Sequence, residues 1–502
     1  MKKKYHKTIE KNRRSLKQRL GRKNYVDQAE PMIKDVNIEY QVAERTRAIG
    51  YGGIGAIHRM VCKLELDRAI NEKVKLLKAH LPYHESDHVL NIAYNVMNGG
   101  TCLEDIERLR QDESYLNGLG AERIPDPTTA GDFLRRFDAE DVLNLQEAIN
   151  GTREKVWEKQ DKSFVAEGII DIDGTIAGTS GECKGGMEMS YKGIWGYAPL
   201  LITLANTKEV LYMVNRPGNR TSADGAAEWM DRAIDLVEGQ FRKVWLRGDS
   251  DFSLTKNFDR WDERGVSFVF GYDTKANLVK IADELPDKAW KRLKRPARYE
   301  VETEERDRPE NIKEQVVRER EYKNIRLISE DVAEFNYGPG ACKRDYRMVV
   351  VKKNLSVERG EVRLFDEIRY FFYITNDWEK SKEKIVFFAN DRCNQENVIG
   401  QLKSGVNALR MPSSDLNSNW AYLVIASLGW NLKAWYGLLT PDRIKGAEIV
   451  RMEFKRFLLS FVQIPCQIVR TGRRIVYRVL AYSAELKTFL KTFEYLRHMT
   501  PG

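Results

Sequence analysis

Three acidic positions lie where predicted elements end or present a face. Asp173 closes the apolar run Gly-Ile-Ile-Asp-Ile-Asp, Asp249 follows Val-Trp-Leu-Arg-Gly, and Glu396 falls in a segment with helical spacing. Because the carboxyl ends of strands in an open α/β sheet face a common crevice, the three side chains are expected to meet there. Carboxylate oxygens suit Mg²⁺, and two such ions can generate a nucleophile and stabilise a leaving oxygen. The sequence therefore predicts a Mg²⁺-dependent phosphoryl-transfer site.

Two neighbouring aspartates leave alternatives open at this site. Asp171 lies two residues before Asp173, so both share one face of the strand, and Asp251 follows Asp249 at the same interval. Any one of these carboxylates could equally be a surface or capping group. The chemical prediction depends on their order along the chain, which is strand-end Asp, strand-end Asp, helical Glu. Asp173 is preferred to Asp171 because Gly-Thr follows it.

Cations accompany the acidic residues. Arg392 and Lys403 lie four residues before and seven after Glu396, which places all three on one face of a continuous helix. Arginine can grip a phosphate with its bidentate fork, and lysine acts as a point charge. The predicted role is phosphate binding beside Glu396, and the alternative is ordinary salt bridging along the helix.

The N-terminal segment carries nearly all of the excess positive charge. Residues 1–24 hold eleven Lys or Arg and one Glu, a net of +10, whereas the whole chain carries +9, so the remainder sums to −1. Such an arm is either a solvated tail or a phosphate-binding element whose affinity falls as salt rises. The residues expected to contact nucleic acid are Lys2, Lys3, Lys4, Arg13, Arg14, Arg19, Arg22 and Lys23.

The apolar periodicity changes from helical to strand-like near residue 164. Strands are predicted at 164–172, 199–205, 209–214, 243–246 and 266–270, with helices at 223–237 and 255–264. This order is typical of an α/β fold with a mixed sheet. A charged stretch follows with short strands predicted at 316–320, 346–352 and 362–364. The α/β pattern then resumes with a strand at 370–375, one long helix at 382–409 and an apolar helix at 420–439.

These changes divide the chain into six predicted parts. They are a basic arm (1–24), a helical domain (25–160), the first part of an α/β core (161–274), a β-rich insertion (275–367), the second part of the core (368–445) and a helical and hairpin region (446–502). A basic hairpin is predicted at 466–480. With six scattered cysteines, no apolar run of membrane length and no secretory signal, a cytoplasmic protein with reduced thiols is expected.

The acidic motifs resemble those of a known enzyme family. Asp173-Gly-Thr, Arg-Gly-Asp249-Ser-Asp-Phe and the Arg392, Glu396, Lys403 spacing are similar to the signatures of cut-and-paste insertion-sequence transposases, whose catalytic residues are two Asp and one Glu. The segments 191–200 and 216–219 also look like the insertion sequence thirteen-eighty group. Two positions depart from the pattern. Ala389 stands where the signature has Tyr, and Asp251 replaces a small residue.

The resemblance implies a fold, a reaction and partners. The fold is an RNase H-like catalytic α/β core with a mixed sheet, interrupted by the β-rich insertion. The helical domain at 25–160 would bind the DNA ends and mediate dimerisation. Asp173, Asp249 and Glu396 would hold two Mg²⁺ ions, with Mn²⁺ as a substitute. The protein would bind terminal inverted repeats, cut the transposon ends and join their 3′-OH groups to target DNA. It would act as a homodimer on double-stranded DNA in a bacterial cytoplasm, associated with the nucleoid.

Aromatic and histidine residues offer further candidates. Trp290, between Lys288 and Lys291, is the preferred platform for stacking a displaced base, whereas core packing is expected for Trp195, Trp378 and Trp420. His80, His84 and His88 recur at intervals of four, which is a possible metal-binding face. Because Pro82 interrupts that helix, a packing or helix-start role is preferred.

Two other functions fit parts of the sequence. Asp171-Ile-Asp173-Gly-Thr also matches the motif of haloacid-dehalogenase-like phosphatases, in which Asp171 would be the nucleophile and Asp173 the acid/base. That alternative gives no purpose to Arg392, Glu396 and Lys403. A catalytically silent, transposase-derived DNA-binding protein is the second alternative, although every expected site residue is present.

Overall fold

The computed structural model describes residues 3–20, 47–80, 82–181, 183–295, 315–316, 319–359, 362–471, 474–480 and 483–501. The α-helices are α1 Lys3–Leu20, α2 Ile54–Lys63, α3 Leu66–Lys73, α4 Glu85–Met97, α5 Ile106–Arg110, α6 Glu113–Leu119, α7 Pro127–Leu134, α8 Ala139–Trp157, α9 Ala226–Glu238, α10 Phe258–Glu263, α11 Ala276–Glu284, α12 Lys382–Asn390, α13 Cys393–Ser404, α14 Leu416–Leu438, α15 Arg443–Arg451, α16 Phe454–Phe457 and α17 Leu486–His498. Within the described residues, no helix combines the length and the apolar character needed to cross a bilayer.

The strands form one large sheet and two small ones. They are β1 Arg47–Ile49, β2 Glu167–Gly174, β3 Ala177–Gly178, β4 Glu188–Met189, β5 Trp195–Tyr197, β6 Leu200–Leu204, β7 Glu209–Val214, β8 Lys243–Gly248, β9 Ser267–Tyr272, β10 Lys291–Arg292, β11 Lys323–Tyr337, β12 Tyr346–Arg359, β13 Val362–Thr375, β14 Cys466–Thr471 and β15 Arg474–Val479. The large sheet has nine strands in the order β10-β11-β12-β13-β9-β8-β2-β6-β7.

The centre of the large sheet is mixed. β2 runs parallel to β8, and β8 runs parallel to β9, whereas β2, β6 and β7 pair antiparallel to one another. Parallel neighbours end at the same edge, so the carboxyl ends of β2 and β8 deliver residues 173 and 249 to one crevice. The sequence prediction of an α/β fold with a mixed sheet is confirmed.

The inserted strands continue this sheet. β13 pairs with β9 from Phe372 to Thr375 and with β12 along most of its length. A single strand therefore runs across the predicted boundary between residues 367 and 368, and the insertion has no separate edge on that side.

Helix α14 is the centre of the packing beside β7. Nearly all of its residues are buried, and it lies against α4, α8 and β7. Asn431 joins it to the sheet edge, because its side chain accepts the N–H of Val210 at 2.9 Å and donates to the Val210 carbonyl at 3.0 Å. This pairing satisfies backbone groups that an edge strand would otherwise leave open.

A buried charge network joins α8 to the same region. Glu209, at the start of β7, is fully buried and accepts hydrogen bonds from Arg153, Trp157 and Trp435 at 3.0, 3.0 and 2.7 Å. Thr207 donates to it at 2.6 Å. Removing one member would leave a buried charge unpaired, which typically costs about 3–5 kcal/mol.

Two sequence predictions of secondary structure are wrong. The single helix at 382–409 is two helices, α12 and α13, followed by a short turn. The backbone tightens between the two helices, where Arg392 N–H bonds to Ala389 O and Asn394 N–H bonds to Asp391 O, three residues back in each case. The strand expected at 316–320 is not formed by its described residues, because Val316 and Glu319 are helical and Arg320 N–H bonds to Val316 O at 3.0 Å. Glu and Arg dominate that segment, and both favour helix.

The predicted hairpin near the C-terminus is confirmed. β14 and β15 pair antiparallel, and β1 adds a third strand to them. Chain segments from both ends of the described protein thus share one small sheet. Gly53 lies where this region contacts α2, and a Cβ there would be 1.9 Å from the Phe461 carbonyl oxygen.

Candidate active site

Asp173 lies at the carboxyl end of β2, largely enclosed by protein. Its side chain is 16% exposed, and its Oδ1 accepts the N–H of Gly174 at 2.8 Å. Burial raises its pKa from 3.8 to about 6; the Arg392 charge opposes this rise, while Asp249 and Glu396 add to it. The pKa of Asp173 therefore responds to the charges of both other predicted acidic residues.

Asp249 lies immediately after β8 on the same sheet edge. Its Oδ1 accepts the N–H of Asp251 at 3.1 Å, so it caps the following turn. Burial is the largest cause of its raised pKa, Arg392 opposes the rise, and Asp251 adds to it. Asp251 therefore acts on Asp249 as a nearby negative charge.

Arg392 stands between the two aspartates. Its Nη1 is 3.3 Å from Asp173 Oδ2 and 3.9 Å from Asp249 Oδ2. The tightened backbone between α12 and α13 aims this side chain into the crevice. A positive group thus already lies where two carboxylates approach, and the surroundings accommodate a cation.

Glu396 occupies the first turn of α13 and is exposed. Its charge reaches Asp173, as that residue's raised pKa shows. Lys403, in the last turn of the same helix, is also close to Asp173; burial and the charge of Lys192 lower its pKa, and Asp173 partly offsets them. The structure therefore brings Arg392 to both aspartates and places Glu396 and Lys403 near Asp173. Arg392 precedes α13 instead of lying within it.

The acidic set is spread more widely than a closed metal cluster. Among the described residues, only His80, His84 and Glu85 form a group of three or more ligand side chains whose atoms all lie within 4.8 Å of one another. Asp173, Asp249 and Glu396 are outside that limit. Like charges at close range repel strongly in a partly buried site, which opposes a closer approach of these carboxylates.

Asp171 has a different role from Asp173. It is fully buried at the centre of the sheet and opposite Arg247 in the β2–β8 register. Arg247 Nε and Nη2 donate to the two Asp171 oxygens at 2.6 and 2.8 Å, and its Nη1 donates to the Phe388 carbonyl at 2.8 Å. This bidentate pair joins β2, β8 and the end of α12. It leaves no free Asp171 oxygen for nucleophilic attack.

Sequence reasoning missed two residues that position the site. Arg247 lies in the Arg-Gly-Asp motif, but its partner depends on strand register. Gln395 is buried beside Glu396, and its amide donates to the carbonyls of Asp171 at 3.1 Å and Leu201 at 3.4 Å. That contact fixes α13 against β2. An apolar face containing a single Gln was the only available sign.

Two crevices flank Asp173. One of 260 Å³ is lined by cationic side chains, including Lys192, Arg216, Arg220 and Lys403. The other, of 340 Å³, extends from Asp249 and Arg392 to Asp273 and Phe371. A cavity of 710 Å³ lies between Lys159 and Arg451 and contains none of the three acidic residues. The charged side chains, not cavity volume, therefore locate the candidate site.

The segment at 216–219 shapes the wall of the cationic crevice. Arg216 is buried and donates to the carbonyls of Ala198, Ser222 and Asp224 at 2.9, 3.1 and 2.7 Å. A Cβ on Gly218 would lie 2.2 Å from the Glu188 carbonyl oxygen, so only glycine fits there. The motif maintains loop geometry rather than supplying a reactive group.

The predicted aromatic platforms have different surroundings. Trp290 is half-buried, with its ring 6.2 Å from Tyr370 and Lys352 Nζ 5.4 Å above it. Trp195 and Trp378 are 50% and 54% exposed, contrary to the packing role expected for them. Trp420 is buried in α14, as expected.

The basic arm is described only in part. Residues 3–20 form α1, which includes Lys3, Lys4 and Arg19. Within this helix Arg13 is half-buried and Arg14 is exposed. Lys2, Arg22 and Lys23 lie outside the described residues. The prediction that these residues bind DNA stays untested.

Comparison with known proteins gives a family. A family model described as Transposase DDE domain group 1 matches residues 46–501. No curated protein matches the sequence. Seven chains of solved structures match. One of them is the piggyBac transposase, in a cryo-EM structure of its synaptic complex with hairpin DNA. It shares 10% sequence identity with this chain, with a TM-score of 0.38 and coverage of 83% of each chain. Because the family model spans nearly the whole sequence, the chain belongs to the DDE transposases of group 1.

Proposed function

We propose that this protein is a DNA transposase that binds terminal inverted repeats, hydrolyses a phosphodiester at each transposon end and joins the freed 3′-OH to target DNA. The observation that carries the proposal is the approach of Asp173 and Asp249 to Arg392 at one sheet edge, with Glu396 near enough to act on the pKa of Asp173. The strand order β7-β6-β2-β8-β9, in which the first two pairings are antiparallel and the next two are parallel, supports an RNase H-like core. Family membership supports the transposase activity.

The acidic residues fit divalent ions. The donors are hard carboxylate oxygens, the ligands that Mg²⁺ and Mn²⁺ prefer, and a guanidinium already lies between two of them. Asp173, Asp249 and Glu396 would hold two ions. Bound there, the ions would activate water and stabilise the leaving 3′ oxygen.

Side chains of this protein position the three carboxylates and offset part of their negative charge. Arg247 and Gln395 hold β2, β8 and α13 in register, so that the carboxylates stay in one crevice. Arg392 lowers the cost of bringing two carboxylates together before substrate arrives. With a divalent ion bound beside Asp173, Arg392 would be available to pair with a phosphate of the transposon end.

DNA would lie along the cationic crevice. Lys192, Arg220 and Lys403 line it beside Asp173, and their charges suit a phosphate backbone. Trp290, or the more exposed Trp195 and Trp378, would stack a displaced base. Pairing of two ends requires at least two subunits, so we propose a homodimer on DNA.

The phosphatase alternative loses its nucleophile. Asp171 would have to attack a phosphoryl group, yet both of its oxygens are bound by a buried Arg247. The structure favours a supporting role for Asp171, which argues against the phosphatase function.

The test uses the DNA that flanks the coding sequence. The full-length protein is incubated with labelled end fragments, with and without Mg²⁺, and cut sites are mapped. Asp173→Asn, Asp249→Asn and Glu396→Gln are expected to lose cleavage and retain end binding. Glu228→Gln, a 67% exposed carboxylate on α9, is the matched control that should cut normally. Full cleavage by any of the three site variants would remove that residue from the proposed set.

A further inference from the structure

A second cluster of ligand side chains lies at the start of α4, in the helical part of the chain. His80 precedes the helix, His84 is its N-cap and Glu85 is its first residue. Their ligating atoms all lie within 4.8 Å of one another. No part of the proposed DNA chemistry uses these residues.

Glu85 is the fixed member of the cluster. Its side chain is 2% exposed, and its Oε1 accepts the backbone N–H groups of Leu76 and Leu77 at 3.1 and 2.9 Å. Its Oε2 faces His80 Nε2 at 3.2 Å. One oxygen is therefore held by the backbone, while the other is directed at the imidazole. Such outer hydrogen bonds orient a metal-binding carboxylate.

The two imidazoles are the movable members. Their rings are stacked with centroids 3.9 Å apart and planes 16° from parallel, and both residues are exposed. The ligating atoms of both imidazoles lie within 4.8 Å of each other and of Glu85, so modest rotation of the two exposed side chains is enough to converge them on one ion. The ion would stand about 2 Å from each nitrogen.

His88 does not belong to this cluster. It is buried within α4, and its ring stacks on Phe133 at a centroid distance of 4.3 Å. The repeat of histidines at intervals of four therefore misidentifies the third ligand, and Glu85 takes that place.

We propose that His80, His84 and Glu85 bind one Zn²⁺ ion, with water in the fourth position. Two imidazole nitrogens and one carboxylate oxygen are a donor set typical of zinc, whereas Mg²⁺ favours oxygen donors alone. The ion fastens the segment before α4 to the helix, because His80 lies outside the helix and Glu85 lies within it. This proposal is independent of the transposase proposal.

Zinc binding is measured on the metal-stripped, full-length protein by calorimetry, with excess Mg²⁺ present to occupy oxygen-rich sites. The wild type is expected to bind one more Zn²⁺ per chain than His84→Ala or Glu85→Gln. Glu85→Gln keeps an acceptor for Leu76 and Leu77, so folding is preserved. Loss of even an outer partner typically weakens metal binding roughly 10–100-fold, so loss of a direct ligand should cost at least that much.

His498→Ala is the matched control, since His498 pairs with Glu494 at 3.5 Å without a third ligand. It should bind zinc as the wild type does. Co²⁺ in place of Zn²⁺ should give visible absorption bands that disappear in His84→Ala and persist in His498→Ala. Equal zinc stoichiometry and affinity in the wild type and His84→Ala, or no zinc bound by the wild type, would overturn the proposal.

Discussion

Replacing Asp173 by Asn is expected to stabilise the metal-free protein at neutral pH, although it removes a proposed catalytic group. The reason is the raised pKa of Asp173, which burial causes and which Asp249 and Glu396 increase. A carboxyl whose pKa is higher in the folded state than in the unfolded state stabilises the fold while it is protonated. That stability is fully present below pH 3.8 and is lost as pH rises through about 6.

The size of the effect follows from the interval between 3.8 and about 6. At 1.36 kcal/mol per pH unit, ionised Asp173 costs the folded state about 3 kcal/mol above pH 7. With its side chain 16% exposed, solvent screening reduces this figure little. About 1.4 kcal/mol of the cost is expected to develop between pH 5 and pH 8.

The assay compares the unfolding free energy of the wild type and Asp173→Asn in EDTA at several pH values. The advantage of the variant should grow by about 1.4 kcal/mol from pH 5 to pH 8. Adding Mg²⁺ at pH 8 should then stabilise the wild type and leave the variant unchanged, because the ion offsets the carboxylate charge. A difference that stays constant with pH would refute the assigned pKa and its cause.

Three further changes have defined outcomes. Arg392→Ala should raise the pKa of Asp173 further, since Arg392 opposes the rise. The pH at which Mn²⁺ affinity reaches half its maximum should therefore increase, and Arg392→Lys should give an intermediate value. An unchanged midpoint would contradict the ion pair. Glu209→Gln should destabilise the fold by about 3–5 kcal/mol by leaving Arg153 unpaired, as read from denaturant unfolding; less than about 1 kcal/mol would contradict the buried network. Gly218→Ala should lower the thermal midpoint by crowding the Glu188 carbonyl, at a cost of about 1–3 kcal/mol. Gly340→Ala, which meets open space, is its control and should melt like the wild type.

The sequence predicts much of the core because local signals determine it. Apolar runs and the turns between them place β6, β7, β8 and β9 within a few residues of their observed bounds. Asp173 and Asp249 were found for the same reason, since both close a strand. Their meeting at one edge then follows from parallel pairing of β2 and β8.

What the sequence could not show depends on contacts between distant segments. The bond between Arg247 and Asp171 requires the strand register, and without it the two neighbouring aspartates are equivalent candidates. The tightened turn before α13 directs Arg392 towards carboxylates from two other strands, whereas periodicity alone favours one continuous helix. Glu85 was overlooked because a spacing of four selects His88 instead.

The long strand β13 has a mechanical consequence. Its 14 residues span about 45 Å, from Val362 among exposed apolar side chains to Thr375 beside β9. A hydrogen-bonded strand resists stretching and bending in the sheet plane. A force applied at the far tip by any bound molecule would therefore reach β9, and with it the neighbourhood of Asp249, without passing through a flexible joint.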